Sequence, residues 1–260
     1  MAKQMDRSDA APWQKVRTLS ELKPILRGGE TLSANLRMTK YSPVGGRVKK
    51  PAVDWMCKGI QTPRRCPLPP KATTFEMQLK SRLLVNHSGG VMENAGLATH
   101  RHFGTPYIPG SAVKGIARHM AWLDWRDAED PDDKELYAGC IAEIFGYPTG
   151  EKKLDDMLKD EGMETRSGAV AFFSAQVHEK AKLDADLINS HERGDPVPVF
   201  FPAVATGTVF EFTISPLQIK TENDMDTLMY LAEDWLKRGL KEQGAGAKTN
   251  AGYGWFGEVE

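Results

Sequence analysis

The sequence predicts an α+β domain, and three observations carry that expectation. Residues 74–85, "TFEMQLKSRLLV", alternate apolar and polar positions as a half-buried strand does. Residues 225–240 repeat apolar side chains at helical spacing. Two β-prone runs, "GAVAFFSAQV" and "TGTVFEFTI", lie between them.

In the first strand Phe75, Met77, Leu79, Leu83 and Val85 face one way, with Glu76, Gln78, Lys80 and Arg82 facing the other. After a glycine-rich stretch, Val113, Ile116, Ala117, Met120 and Leu123 recur at helical spacing, with Ser111 as the expected N-cap. Gly168 to Val177 is apolar on both faces, so it reads as a central strand. In the next strand Phe210, Phe212 and Ile214 share a face. Met225, Leu228, Met229, Ala232, Trp235, Leu236 and Leu240 then form one stripe behind an expected Asn223 cap, and "YGWFGEV" closes the chain as a short strand. Strand, helix, strand, strand, helix, strand is the ferredoxin-like (RRM-like) order, here a β-α-β-β-α-β core with insertions.

The domain expected is 74–260, with insertions at 125–167 and 178–205. Residues 1–73 form a basic segment that packs on or extends this core. Residues 1–72 hold fifteen Lys/Arg against five Asp/Glu, a net of +10, so a chain of net charge −1 carries −11 in the remainder. From Asp124 to Glu164 there are fourteen acids and five bases. Such asymmetry fits one surface facing an anion and another facing solvent or a basic partner; two solvated loops of opposite sign fit it as well. No run approaches the roughly 18 apolar residues of a membrane span, and the first residues lack the apolar block of a signal peptide, so a cytoplasmic protein is expected. Cys57, Cys66 and Cys140 are an odd number, and the Cys57 to Cys66 spacing is wider than zinc pairs use, so neither a disulfide framework nor a metal is expected.

The stretch "GAGAKTNAGYGWFG", Gly244 to Gly257, resembles a phosphate cradle. A P-loop requires glycine directly before the lysine and a helix after the loop; here Ala247 precedes Lys248, and of the twelve residues that follow it most are glycine, aromatic or β-prone. Gly244 and Gly246 suit a helix stop. Five glycines in fourteen residues exceed what one cap needs, which favours a loop that approaches a ligand through Gly246, Lys248, Thr249 and Asn250. "AGYGWF" also has an RNP1-like aspect, but Ala251 replaces the basic residue and the segment lies on the last strand rather than the third.

Together these motifs are similar to those of a known family. "YIPGSAVKGIARH", "IFG" at Ile144 to Gly146, "GAVAFFSA" and "GAGAKTNAGYGWF" resemble the signature elements of the RAMP superfamily of CRISPR effector proteins, and "PVFFPAVATGTVFEF" adds a likeness to subunits of the type III-B (Cmr) interference complex. The resemblance covers about residues 74 to 258 and leaves the first 73 unexplained, apart from an early strand around "NLRMTKY". It implies a non-catalytic scaffold subunit, not an enzyme. Such a subunit holds the guide RNA (crRNA) near its 3′ end and contacts the guide–target duplex beside other RAMP subunits, without a cofactor, a metal or a membrane. A thumb-like insertion over His178 to Pro202 is implied too.

On that reading the RNA-binding residues are Arg101, His102, Ser111, Lys114, Arg118, Gly246, Lys248, Thr249 and Asn250. A helix start at Ser111 with Lys114 one turn in suits a phosphate, and Arg118 follows on the same side; a merely solvated helix face is the alternative. His100 and His102 could serve as general base and acid of a metal-independent RNA-processing endonuclease. A stand-alone single-stranded RNA binder is the remaining alternative.

Overall fold

The computed structural model describes residues 33–39, 50–58, 60, 67–88, 96–147, 166–179, 181–190, 197–219 and 221–260. The elements are α1 (Ala34–Thr39), α2 (Lys50–Met56), β1 (Thr73–Leu79), β2 (Tyr107–Ile108), α3 (Gly110–Asp127), α4 (Pro131–Phe145), β3 (Gly146–Tyr147), β4 (Arg166–Ser167), β5 (Val170–Phe172), β6 (Ala175–Val177), β7 (Leu183–Ser190), β8 (Val197–Val204), β9 (Val209–Pro216), α5 (Met225–Glu242) and β10 (Phe256–Gly257). The domain mixes helices with an antiparallel sheet of order β10-β1-β9-β6-β2, in which β5 also pairs with β9. No helix among the described residues is long and apolar enough to cross a membrane.

One sheet face is apolar because alternation sends Met77 and Leu79 of β1 and Phe210, Phe212 and Ile214 of β9 inward, all buried. Against it lie the buried stripe of α5, Leu228 through Leu240, and Val113, Ala117 and Met120 of α3. The two helices run antiparallel: Ile116 meets Gly239, where a Cβ would come within 2.8 Å of the Ile116 side chain, and Asp124 meets Trp235 and Arg238. Trp235 is fully buried, and its indole N–H donates to Asp124 at 2.9 Å. The same carboxylate receives both terminal nitrogens of Arg238, at 2.7 and 2.8 Å. The buried indole donor therefore stays satisfied.

Several boundaries differ from expectation. The first strand ends at Leu79, because Lys80 and Ser81 turn to bond Trp255; beyond it Leu83 makes only an isolated bridge to Val204. Gly168 to Val177 splits into β5 and β6, both beside β9, and it is β9 that lies at the centre of the sheet. Ser111 is not the N-cap: α3 starts at Gly110, with Pro109 in the capping position and no side-chain cap bond. The helix thus starts two residues earlier than a Ser111 cap would place it, with Gly110 so close to Phe172 that a Cβ would fall 2.6 Å from its carbonyl oxygen. The cap of α5 is Asp224, which accepts from Thr227 N–H at 3.2 Å, while the Asn223 amide donates to Glu143. "ANLRMT" is a helix rather than a strand, and the final strand contracts to Phe256–Gly257.

The acidic segment is no plain solvated loop. Asp130 caps α4 by accepting from Asp132 N–H, and the second half of α4 is buried, Phe145 stacking on Phe172 and Trp235. Glu143 is buried there, with side-chain exposure of 2%. It accepts from the backbone N–H of Glu222 (2.7 Å) and Asn223 (3.2 Å) and from the Asn223 amide (2.8 Å), with Arg166 at 3.4 Å.

Strands β7 and β8 form a separate ribbon, in register from Leu183↔Val204 to Ser190↔Val197. Residues around its base belong to the core: Ala181, Leu183, Phe201, Ala203 and Val204 are buried, and α2 packs on both strands. Replacing His178 to Pro202 with glycine and serine would therefore remove buried core side chains as well as the outer ribbon. Loss of Phe201 and Leu183 burial is expected to cost at least about 3 kcal/mol, readable as a lower urea midpoint or loss of a cooperative transition.

Candidate nucleic-acid interface

The glycine loop leaves α5 through Gly244, at φ 71°, whose N–H donates to Gly239 O. Its neck is closed by Ala245 N–H to Gly254 O (2.8 Å). Three backbone bonds then lace it to the segment after β1: Ala247 N–H to Leu84 O, Gly254 N–H to Arg82 O and Lys80 N–H to Trp255 O, all at 2.7 to 2.8 Å. The glycines serve this lacing. A Cβ at Gly246 would fall 2.2 Å from Leu84 O, one at Gly254 1.9 Å from Ala245 O and one at Gly244 2.9 Å from Gly254 O. The close approach inferred from the glycine content is thus chain against chain at these three positions. Only the outer turn is open: Gly252 has φ 90° and nothing within 4 Å of its Cβ position. Lys248, itself left-handed at φ 61°, starts the short 3₁₀ turn Thr249–Ala251 and is exposed, as is Asn250.

Beside this turn lies the base of the ribbon. The Lys248 ammonium sits 5.4 Å from the Phe201 ring centroid. Tyr253 Oη donates to Asp186 at 2.8 Å, and Arg82 pairs with the same carboxylate at 3.2 Å. Burial, then Asp186, pushes the Tyr253 phenol up to about 12, so it stays a donor. His87 packs edge-on to Phe201 at 4.9 Å, and neither ring nitrogen has a hydrogen-bond partner among the described residues. Burial, then the Lys248 charge, holds this histidine below its ordinary value, which favours the neutral ring.

Arg101 and His102 occupy the exposed tip of a second turn, closed by the Thr99↔Pro106 bridge and by His100 N–H to Thr105 O at 2.7 Å. The turn is tied to the same segment, since Ala98 N–H donates to Val85 O at 2.8 Å. From the other side Ser33 Oγ donates to Arg101 O and Asn35 to Thr99. His100 Nδ1 accepts from the backbone N–H of His102 and Phe103, so this nitrogen serves the turn.

The third feature is the start of α3, which leaves β2 directly. Ser111 is exposed at its second position, while Lys114 and Arg118 are part-buried. Burial, then the Arg118 charge, holds the Lys114 ammonium below its ordinary value, a strain that an incoming anion relieves. Arg118 lies 5.9 Å from the Trp122 ring centroid.

Residues 80–87 are therefore a shared seam. The structure brings the glycine loop and the Arg101 turn to it, and the antiparallel crossing of α3 and α5 sets the α3 start beside the end of α5 from which the glycine loop leaves. The sequence reading missed His87, Phe201, Asp186 and Tyr253; their juxtaposition depends on ribbon placement, which no local pattern records. It also missed Glu76, His178 and Glu211, whose ligand atoms all lie within 4.8 Å of one another on the other face of the sheet. Cys66 lies outside the described residues; Cys57 is a free thiol that burial pushes up to about 12.

Comparison with known proteins finds a curated relative, CRISPR system Cmr subunit Cmr6 of Pyrococcus furiosus, 26% identical over 234 residues that cover 70% of this chain and 67% of the relative. Among solved structures, a chain of the type III-B Cmr-beta complex bound to cognate target RNA is similar with a TM-score of 0.47 and 22% identity, over 73% of this chain and 59% of that one, less than two thirds of its length. The crystal structure of Cmr6 from Pyrococcus furiosus gives a TM-score of 0.45 and 23% identity over 74% of this chain and all of that one. The family model that describes the RAMP superfamily matches residues 76–257, and the chain with its glycine loop and following strand belongs to that superfamily.

Proposed function

We propose that this protein is a Cmr6-type, non-catalytic RNA-binding subunit of a cytoplasmic type III-B CRISPR (Cmr) complex, holding the guide RNA near its 3′ end and contacting the guide–target duplex beside other RAMP subunits. Membership of the RAMP superfamily and the likeness to Cmr6 over 234 residues support the complex. The observation that carries the RNA-binding role is the exposed Lys248–Asn250 turn on a loop laced by backbone hydrogen bonds, next to the Arg101 turn and the α3 start. Donors on a fixed backbone suit sugar and phosphate, and such grip is independent of sequence, as a variable guide requires. The strand order, with the first and third core strands adjacent and the last strand beside the first, supports reading the core as ferredoxin-like. The ribbon β7–β8 is the element we assign to the thumb role, reaching a neighbouring subunit or the duplex.

Lys114→Ala with Lys248→Ala is the test. RNA affinity of the assembled complex is expected to fall roughly tenfold or more at moderate salt, and the slope of log K against log salt to decrease by about 0.7 for each single-strand phosphate that is no longer neutralised. Unchanged affinity and slope, with the subunit folded, would remove both lysines from the interface.

A further inference from the structure

A second site lies on the sheet face opposite the helices. Glu76 of β1 and Glu211 of β9 are direct cross-strand partners. Their neighbours Met77, Phe210 and Phe212 point into the core, so alternation turns both carboxylates outward. His178 follows β6, where Gln176 is the partner of Glu211, and its backbone N–H donates to Val209 O at 2.9 Å. That register sets its ring over the two carboxylates: Nδ1 is 2.5 Å from a Glu76 oxygen and 3.7 Å from a Glu211 oxygen.

We infer that Glu76, His178 and Glu211 form a binding site for one divalent transition-metal ion of the zinc class. Three points of chemistry carry it. Ligand bonds of roughly 2.1 Å hold neighbouring ligand atoms about 3 to 3.5 Å apart, so side-chain movements of about an ångström convert the present spacing into a coordination shell. Two carboxylates and a neutral imidazole balance a 2+ ion, and carboxylates directly opposite on a sheet, which repel each other, become attractive through it. An imidazole ligand favours zinc-class ions over magnesium and calcium, which take oxygen ligands. Two ligands sit on paired strands and the third directly follows a strand of the same sheet, so the ion clamps β1, β9 and the end of β6 together, with its remaining positions toward solvent. This inference is independent of the RNA-binding reading.

The test uses the full chain freed of metal by chelation and titrated with zinc by calorimetry, with cobalt as a spectroscopic substitute. Wild type is expected to bind one ion at this site and to gain thermal stability. Glu76→Gln, Glu211→Gln and His178→Ala should each weaken binding by about tenfold or more and abolish the stabilisation. Glu76→Gln, on a part-exposed side chain, decides the matter if His178→Ala does not fold. Absence of saturable binding, equal binding by the variants, or a cobalt spectrum with thiolate charge transfer, which would assign the ion to cysteine, would each overturn the site.

Discussion

Gly254→Ala is expected to be among the most damaging single changes in the protein, lowering stability by about 4 kcal/mol or more. The new Cβ would sit 1.9 Å from the carbonyl oxygen of Ala245 and 3.0 Å from its carbon, both backbone atoms that no side-chain rotation can clear. Relief requires the loop neck to open, which breaks Ala245 N–H to Gly254 O and displaces Gly254 N–H from Arg82 O. The left-handed φ of 74° adds its own cost of about 1 kcal/mol. Gly252 is the internal control. It has a similar φ of 90° but open space where the Cβ would go, so Gly252→Ala should cost only about 1 kcal/mol. Urea unfolding of the two variants separates packing from conformation; equal midpoints would mean that the loop is not laced as described.

Glu143→Ala is the second large effect, with an expected cost of about 3 kcal/mol. Among the described residues the carboxylate accepts from two backbone N–H groups and one amide at the approach to α5, and it faces Arg166. Removing it leaves those donors without an acceptor and the arginine without its counter-charge at the point where α5 begins. Glu143→Gln keeps the shape and one acceptor oxygen, and should recover part of the loss. Thermal unfolding with both variants checks this; an Ala variant as stable as wild type would show that the carboxylate does not fix the start of α5.

Both predictions concern contacts that join segments far apart in the chain, which is where sequence reading was weakest. Period-2 and period-3.6 patterns expose themselves locally, so the inward faces of β9 and α5 were legible from Phe210, Phe212, Ile214, Leu228, Trp235 and Leu240. The caps lie at Pro109, two residues before Ser111, and at Asp224, one residue after Asn223, and in each case a tertiary contact is involved: the Phe172 backbone against Gly110, and Glu143 against Asn223. The glycine loop was recognisable by composition, but the approach of Gly244, Gly246 and Gly254 to the backbone of Gly254, Leu84 and Ala245 was not. Glu76 was legible as an outward residue of an alternating strand. Its neighbours Glu211 and His178 were not, because only strand pairing brings them together.

The central claim, that this chain holds guide RNA within a multi-subunit type III-B complex, is tested most directly by purifying the tagged protein from its native host at moderate salt and identifying what accompanies it. Repeat-derived RNA of defined 3′ end together with several other RAMP proteins is the predicted result, with RNA recovery reduced when Lys114 and Lys248 are both alanine. Recovery of the folded protein alone, or with heterogeneous RNA and no RAMP partner, would contradict the claim.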